Sequence, residues 1–98
     1  MDIIKELNGS ELVMKICGRL DTNSAPQLEQ ALMESVEGVE SLVFDLAEMP
    51  YTSSAGLRVF LKAQKIMNKQ GSMKVINACE DVMEVFEITG FSDIIDIQ

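Results

Sequence analysis

Short apolar segments typical of β-strands alternate along this chain with longer amphipathic segments typical of α-helices. The segments that read as strands are residues 2–7, 11–17, 41–46, 73–77 and 94–97. Asn8-Gly9-Ser10 joins the first two as a hairpin turn. The order β-β-α-β-α-β-α-β therefore predicts an α/β fold, a mixed and mostly parallel sheet with an N-terminal hairpin and helices packed on it. Without a linker or repeat, we expect one domain over residues 1–98.

Three helices are expected between these strands. Ser24 is the expected N-cap of the first helix, with Gln27 as its capping-box partner and Gly38 beyond its end. The second helix is expected over residues 54–70 with Ser54 as its N-cap, and the third from residue 80 to Gly90. Residues 41–46 are apolar and nearly continuous, which predicts a strand covered on both faces.

Composition excludes several classes of function. The 98 residues carry a net charge of −8, which argues against nucleic acid or an anionic membrane as partner. There is no histidine, so serine-histidine-aspartate triads and the usual zinc-hydrolase motifs are excluded. Cys17 and Cys79 form no CxxC pair and are expected to be buried or partly buried free thiols in a reducing cytoplasm. No apolar run approaches membrane-spanning length. No constellation for an enzyme, a metal or a cofactor is apparent.

The run of residues 52–58, Thr-Ser-Ser-Ala-Gly-Leu-Arg, places two serine hydroxyls at the start of the second helix. Backbone N–H groups without intrahelical partners favour negative charge there. Ser54 as a simple cap is one interpretation. The other is a serine that is itself modified, since Ala55 and Gly56 are small and leave the hydroxyl open to a partner. Neither serine has a positioned base, so nucleophilic catalysis is not expected.

At these residues the sequence resembles the anti-sigma factor antagonists, the stand-alone bacterial STAS-domain proteins. The resemblance covers the whole chain, and its most specific part is the Ser-x-Gly-Leu core that begins at Ser54. It implies a partner that is an anti-sigma factor and a serine kinase with a histidine-kinase-like ATPase fold. That kinase would phosphorylate the motif serine and so release the antagonist, and a PPM-type serine phosphatase would restore it.

Registered on Gly56 and Leu57, the family's phosphoserine falls on Ser54. The preceding position is commonly aspartate in the family and is Ser53 here, which leaves Ser53 as the alternative acceptor. The family's loop aspartate corresponds to Asp21, for which an Asx turn and a partner contact are both open. The implied partner-binding residues are Asp21, Thr22, Ser53, Ser54, Ala55, Gly56, Leu57 and Arg58.

Four basic residues lie on one face of the second helix, namely Arg58, Lys62, Lys65 and Lys69. For Lys65 and Lys69 we favour a solvated face, whereas for Arg58 a solvated face and pairing with a phosphate or an acidic partner residue are equally open. The leading hypothesis is thus a phosphorylation-switched binding protein. The alternative is a non-phosphorylated STAS scaffold subunit of a larger complex, such as a lipid-transport or signalling assembly.

Overall fold

The computed structural model describes all 98 residues, in five strands, three α-helices and a short 3₁₀ turn. In chain order the elements are β1 (Asp2–Asn8), β2 (Glu11–Cys17), α1 (Ala25–Ser35), β3 (Ser41–Glu48), α2 (Ser54–Gln70), β4 (Ser72–Ile76), α3 (Glu80–Ile88), the 3₁₀ turn (Phe91–Asp93) and β5 (Asp96–Ile97). The predicted α/β fold and order of elements are confirmed. The last strand is shorter than predicted, because residues 91–95 close a turn whose Ile94 and Ile95 N–H groups bond to the Phe91 carbonyl.

The five strands form one sheet in sequence order, β1-β2-β3-β4-β5. β1 pairs with β2 in antiparallel register, and all later pairs are parallel. Each parallel connection contains one helix and moves one strand along the sheet in the same direction. Because such crossovers are right-handed, all three helices lie on one face of the sheet.

The core lies between that face and the helices. β2 and β3 alternate strictly in the residues they bury against the helices: Leu12, Met14, Ile16, Leu42, Phe44 and Leu46. The ring of Phe60 in α2 lies edge-on to Phe44, with centroids 5.0 Å apart, and to Phe86 of α3 at 5.8 Å. These aromatic contacts tie the second and third helices to the middle of the sheet.

The opposite face of the sheet has no helix on it, so the prediction that β3 is covered on both faces is wrong. Lys15, Asp45 and Lys74 lie on this face and are only partly buried. Val43 is buried there but lies outside the core cluster. The apolar run of β3 is therefore an alternating strand in which Val43 occupies one outward position.

Both cysteines are free thiols, as predicted, but only Cys17 is partly buried, because Cys79 is exposed just before α3. On the open face, Cys17 Sγ lies 3.6 Å from Glu48 Oε2, which also pairs with Lys15 Nζ at 3.0 Å. Burial and the Glu48 carboxylate both raise the pKa of the Cys17 thiol. No helix is long and apolar enough to cross a membrane.

Candidate functional site

Two loops meet at the carboxyl ends of β2 and β3, where neighbouring parallel strands finish at the same edge of the sheet. The Leu20 N–H donates to the Tyr51 carbonyl at 3.0 Å, and the Ser53 N–H donates to the Leu20 carbonyl at 2.8 Å. Leu20 and Thr52 thus form an isolated parallel bridge. This bridge brings the segment containing Asp21 and Thr22 beside the start of α2, so the predicted site residues of both loops lie in one region.

The two serines at the start of α2 differ in exposure. Ser53, not Ser54, is the N-cap: its backbone is extended (φ −97°, ψ 175°) and its carbonyl accepts the Leu57 N–H at 3.1 Å. The Ser53 hydroxyl oxygen is buried and has no hydrogen-bond partner. Ser54 is the first helical residue, its side chain is exposed, and its hydroxyl makes no hydrogen bond within the protein. The prediction that Ser54 is the N-cap is therefore wrong by one residue. Of the two serines, Ser54 has the accessible hydroxyl.

Gly56 lies on the inner side of α2, where it serves the packing of the helix. It is buried, and a Cβ at this position would lie 2.5 Å from Thr52 Oγ1 and 2.6 Å from Leu20 Cγ. The first turn of α2 therefore packs directly on the Leu20–Thr52 bridge, which leaves no room for a side chain. The interpretation that Gly56 keeps the hydroxyl open is wrong, although Ala55 beside it is only partly buried.

Asp21 forms an Asx turn that leads into α1. Its Oδ1 accepts the Asn23 and Ser24 N–H groups, both at 3.0 Å, and its carbonyl accepts the Ala25 N–H at 2.8 Å. The hydrogen bond from the Ser24 backbone is the largest of several effects that lower the pKa of the Asp21 carboxyl; the others include the Asn23 N–H and the charge of Arg19. The carboxylate is thus held in its charged form by the turn.

The predicted capping box of α1 is absent. Ser24 has helical backbone angles (φ −98°, ψ −18°) and makes no capping hydrogen bond to the helix. Its hydroxyl turns back into the loop instead, accepting the Asp21 N–H at 2.9 Å and donating to the Arg19 carbonyl at 2.8 Å. Ser24 and Asp21 together fix the loop that carries Thr22, which is exposed.

A shallow pocket of about 210 Å³ opens between the first turns of α1 and α2. Four apolar and three polar or charged residues line it: Ala25, Pro26, Ala55, Val59, Thr22, Glu29 and Arg58. Glu29 pairs with Lys62 across the two helices, with 3.2 Å between Oε1 and Nζ. The pocket combines apolar surface with the cation of Arg58, and it adjoins the exposed Ser54 because Ala55 is one of its lining residues.

Sequence reasoning missed the pair of Arg19 and Tyr51, which joins the two loops at the surface. The Arg19 guanidinium carbon lies 4.2 Å from the centroid of the Tyr51 ring, and both residues are exposed. Arginine and tyrosine are enriched among residues that dominate binding energy at interfaces. The pair could have been predicted because Arg19 and Tyr51 shortly follow β2 and β3. The carboxyl ends of adjacent parallel strands lie at the same edge of the sheet.

The four basic residues of α2 do not act as a set. All are exposed, but Lys62 is paired with Glu29, whereas Arg58, Lys65 and Lys69 make no ion pair. No group of three or more cysteine and carboxylate side chains is placed to hold a metal ion. The site therefore offers hydroxyls, one ordered carboxylate, a free guanidinium and an apolar pocket, which is a surface suited to binding.

Comparison with known proteins gives one consistent result. The family model of the STAS domain matches residues 2–98. The anti-sigma-B factor antagonist of Bacillus subtilis (strain 168) is 38% identical over 91 residues, which cover 92% of this chain and 84% of the relative.

Two solved structures share the fold. The anti-sigma factor antagonist SpoIIAA in its unphosphorylated form superposes with a TM-score of 0.85 at 16% identity, covering 99% of this chain and 88% of that one. The Bacillus cell fate determinant SpoIIAA in the phosphorylated form gives a TM-score of 0.77 at 15% identity, with 99% and 91% covered.

Proposed function

The chain belongs to the STAS-domain family, and from that premise we propose that it is a phosphorylation-switched anti-sigma factor antagonist. In this proposal the unphosphorylated protein binds an anti-sigma factor that is also a serine kinase with a histidine-kinase-like ATPase fold. Binding frees a sigma factor or another output from that kinase. Phosphorylation of Ser54 releases the antagonist, and a PPM-type serine phosphatase reverses the modification. The relative in Bacillus subtilis, named as an anti-sigma-B factor antagonist, supports this role.

The observation that carries the proposal is the difference between the two serine hydroxyls. A kinase must bring the acceptor oxygen to the γ-phosphate of ATP, so the hydroxyl must be reachable from solvent. Ser54 is exposed and its hydroxyl is engaged in no hydrogen bond, whereas the Ser53 hydroxyl oxygen is buried. Exposure thus favours Ser54 over Ser53, in agreement with the register of the family motif.

The position of Ser54 also explains how a phosphate would change binding without unfolding the protein. A phosphoserine carries about −1.5 to −2 charges at pH 7, and the start of α2 favours negative charge. The side chain of Ser54 is exposed and gives up no hydrogen bond when it is modified. A partner seated on Asp21, Thr22 and residues 53–58 would meet new charge and new bulk at its centre.

Phosphorylation with the cognate kinase and ATP, followed by site mapping with mass spectrometry, tests the proposal. We expect one phosphate on Ser54 in the wild type and in Ser53→Ala, and none in Ser54→Ala. Ser54→Asp should bind the kinase more weakly than the wild type while its far-UV circular dichroism spectrum is unchanged. Absence of phosphate from both serines would overturn the proposal. A pull-down that recovered a transporter ATPase and no kinase would favour the scaffold-subunit alternative.

A further inference from the structure

Arg58 is the one cation near Ser54 that is free to pair with a new anion. It is exposed, lines the pocket between α1 and α2, and makes neither an ion pair nor a side-chain hydrogen bond within the protein. The other two cations of the region are engaged: Lys62 pairs with Glu29 at 3.2 Å, and Arg19 stacks on Tyr51.

Helix geometry places Arg58 over Ser54. Ser54 is the first residue of α2, and Arg58 follows four residues later on the same face. Side chains at this spacing have Cβ atoms about 5–6 Å apart and interact directly. A long arginine side chain also leans toward the helix N-terminus, which is the direction of Ser54. A phosphate on the Ser54 oxygen would therefore lie within reach of the guanidinium.

We propose that Arg58 holds the phosphate of phosphorylated Ser54 and is drawn by it from the pocket between α1 and α2. The inference rests on the proposed function, since Ser54 must carry the phosphate. A guanidinium matches phosphate oxygens in a two-point hydrogen-bonded pair, and the free N–H groups at the start of α2 add to the attraction. Two carboxylates lie on the elements that border the pocket, Asp21 on the loop before α1 and Glu29 on α1, and their like charge opposes the phosphate. Phosphorylation then alters the surface that binds the partner at two places, at Ser54 and at the pocket between α1 and α2.

The second ionisation of the phosphate reports this pairing. A phosphoserine loses its second proton near pH 6, and a nearby cation favours the dianion and so lowers that pKa. Phosphoserine installed at position 54 during translation, without the kinase, gives a homogeneous sample for titration by ³¹P NMR. The helix terminus, Asp21 and Glu29 act equally in every variant, so the difference between wild type and Arg58→Gln isolates the guanidinium. Lys69→Gln removes the same charge from the far end of α2 and is the matched control.

We expect the phosphate pKa to be higher in Arg58→Gln than in the wild type by about 0.5 unit at low salt. The difference should shrink in 1 M NaCl, where the screening length is about 3 Å. Lys69→Gln should titrate like the wild type. Equal pKa values in wild type and Arg58→Gln, or equal shifts in the two variants, would overturn the inference. Since the phosphate is not added by the kinase, a Ser54 left unlabelled by the kinase would count against the proposed function alone.

Discussion

Replacing Gly56 by alanine tests the packing on which the site is built. The new Cβ would lie 2.5 Å from Thr52 Oγ1 and 2.6 and 2.7 Å from Leu20 Cγ and Cδ2. Leu20 has no room to retreat, because it is fully buried and hydrogen-bonded through its N–H to Tyr51 and through its carbonyl to Ser53. The clash must therefore be relieved by moving the first turn of α2 away from the bridge.

Two opposing effects decide the magnitude. Forcing an extra methyl group into a packed site costs about 3 kcal/mol at the upper end of the usual range. Alanine in place of glycine within a helix recovers about 1 kcal/mol. We therefore expect Gly56→Ala to lower the free energy of unfolding by about 2 kcal/mol. For a domain of this size that is a fall in Tm of about 8–16 °C.

Urea denaturation followed by far-UV circular dichroism measures this loss. The double variant Thr52→Ala, Gly56→Ala is the control, because removal of the Thr52 hydroxyl removes the shortest of the three contacts. The two substitutions should be coupled by at least about 0.5 kcal/mol, so that Gly56→Ala costs less in the Thr52→Ala background. A Gly56→Ala protein as stable as the wild type, but impaired in binding its partner, would refute this reasoning and restore the view that Gly56 makes room for the partner.

Three further predictions concern other polar groups. The Asp21 pKa is lowered mainly by the Ser24 backbone hydrogen bond. The charged carboxylate therefore stabilises the fold at pH values above its ordinary pKa of about 3.9. This stabilisation is lost as the pH falls through the pKa of the folded state. The Tm of the wild type should thus exceed that of Asp21→Asn near pH 7 and approach it at pH 2.5, and a pH-independent gap would contradict the assignment. Gln64 is buried with an unpartnered Oε1, and its Nε2 donates to Asn68, which is exposed and can bond to water instead. Gln64→Met should therefore raise the free energy of unfolding by about 1 kcal/mol, and a loss measured in urea would refute this. Cys79 should be alkylated faster by iodoacetamide at pH 8 than Cys17, whose pKa is raised by burial and by a neighbouring carboxylate; peptide mapping that found Cys17 modified first would be inconsistent with the structure.

The arrangement of strands and helices was predictable because local signals agreed with one another. Asn8-Gly9 sets the hairpin, and Gly71 ends α2 where the helical pattern stops. Since parallel strands require right-handed crossovers, the order of elements then leaves few topologies. The prediction that β3 is covered on both faces is wrong because Val43 is an apolar residue on the open face of the sheet. One such residue makes the strand look continuously apolar without requiring a second layer.

The details of the site depended on contacts between distant parts of the chain. Ser24 reads locally as a cap, yet its hydroxyl bonds to the Asp21 N–H and the Arg19 carbonyl within the loop, and the Gln27 N–H is taken by the Ser24 carbonyl. Beside the bridge from Leu20 to Thr52 the chain is extended at Ser53, so the N-cap is Ser53 and not Ser54, although α2 begins at Ser54 as predicted. The role of Gly56 depends on the side chain of Leu20, 36 positions earlier, and no local pattern contains that contact.

The packing at Gly56 and the exposure of Ser54 have one cause. Because the first turn of α2 lies directly on the bridge, its inner side is filled by Gly56 and Leu57, and the Ser53 hydroxyl oxygen is buried at the junction. Ser54 is then turned outward on the same turn, with no side-chain hydrogen bond to lose. A substituent on Ser54 therefore changes what a partner meets but not what holds α2 to the sheet. A fold that separates the two serines in this way leaves an exposed hydroxyl on the same helical turn that packs Gly56 and Leu57 against the sheet.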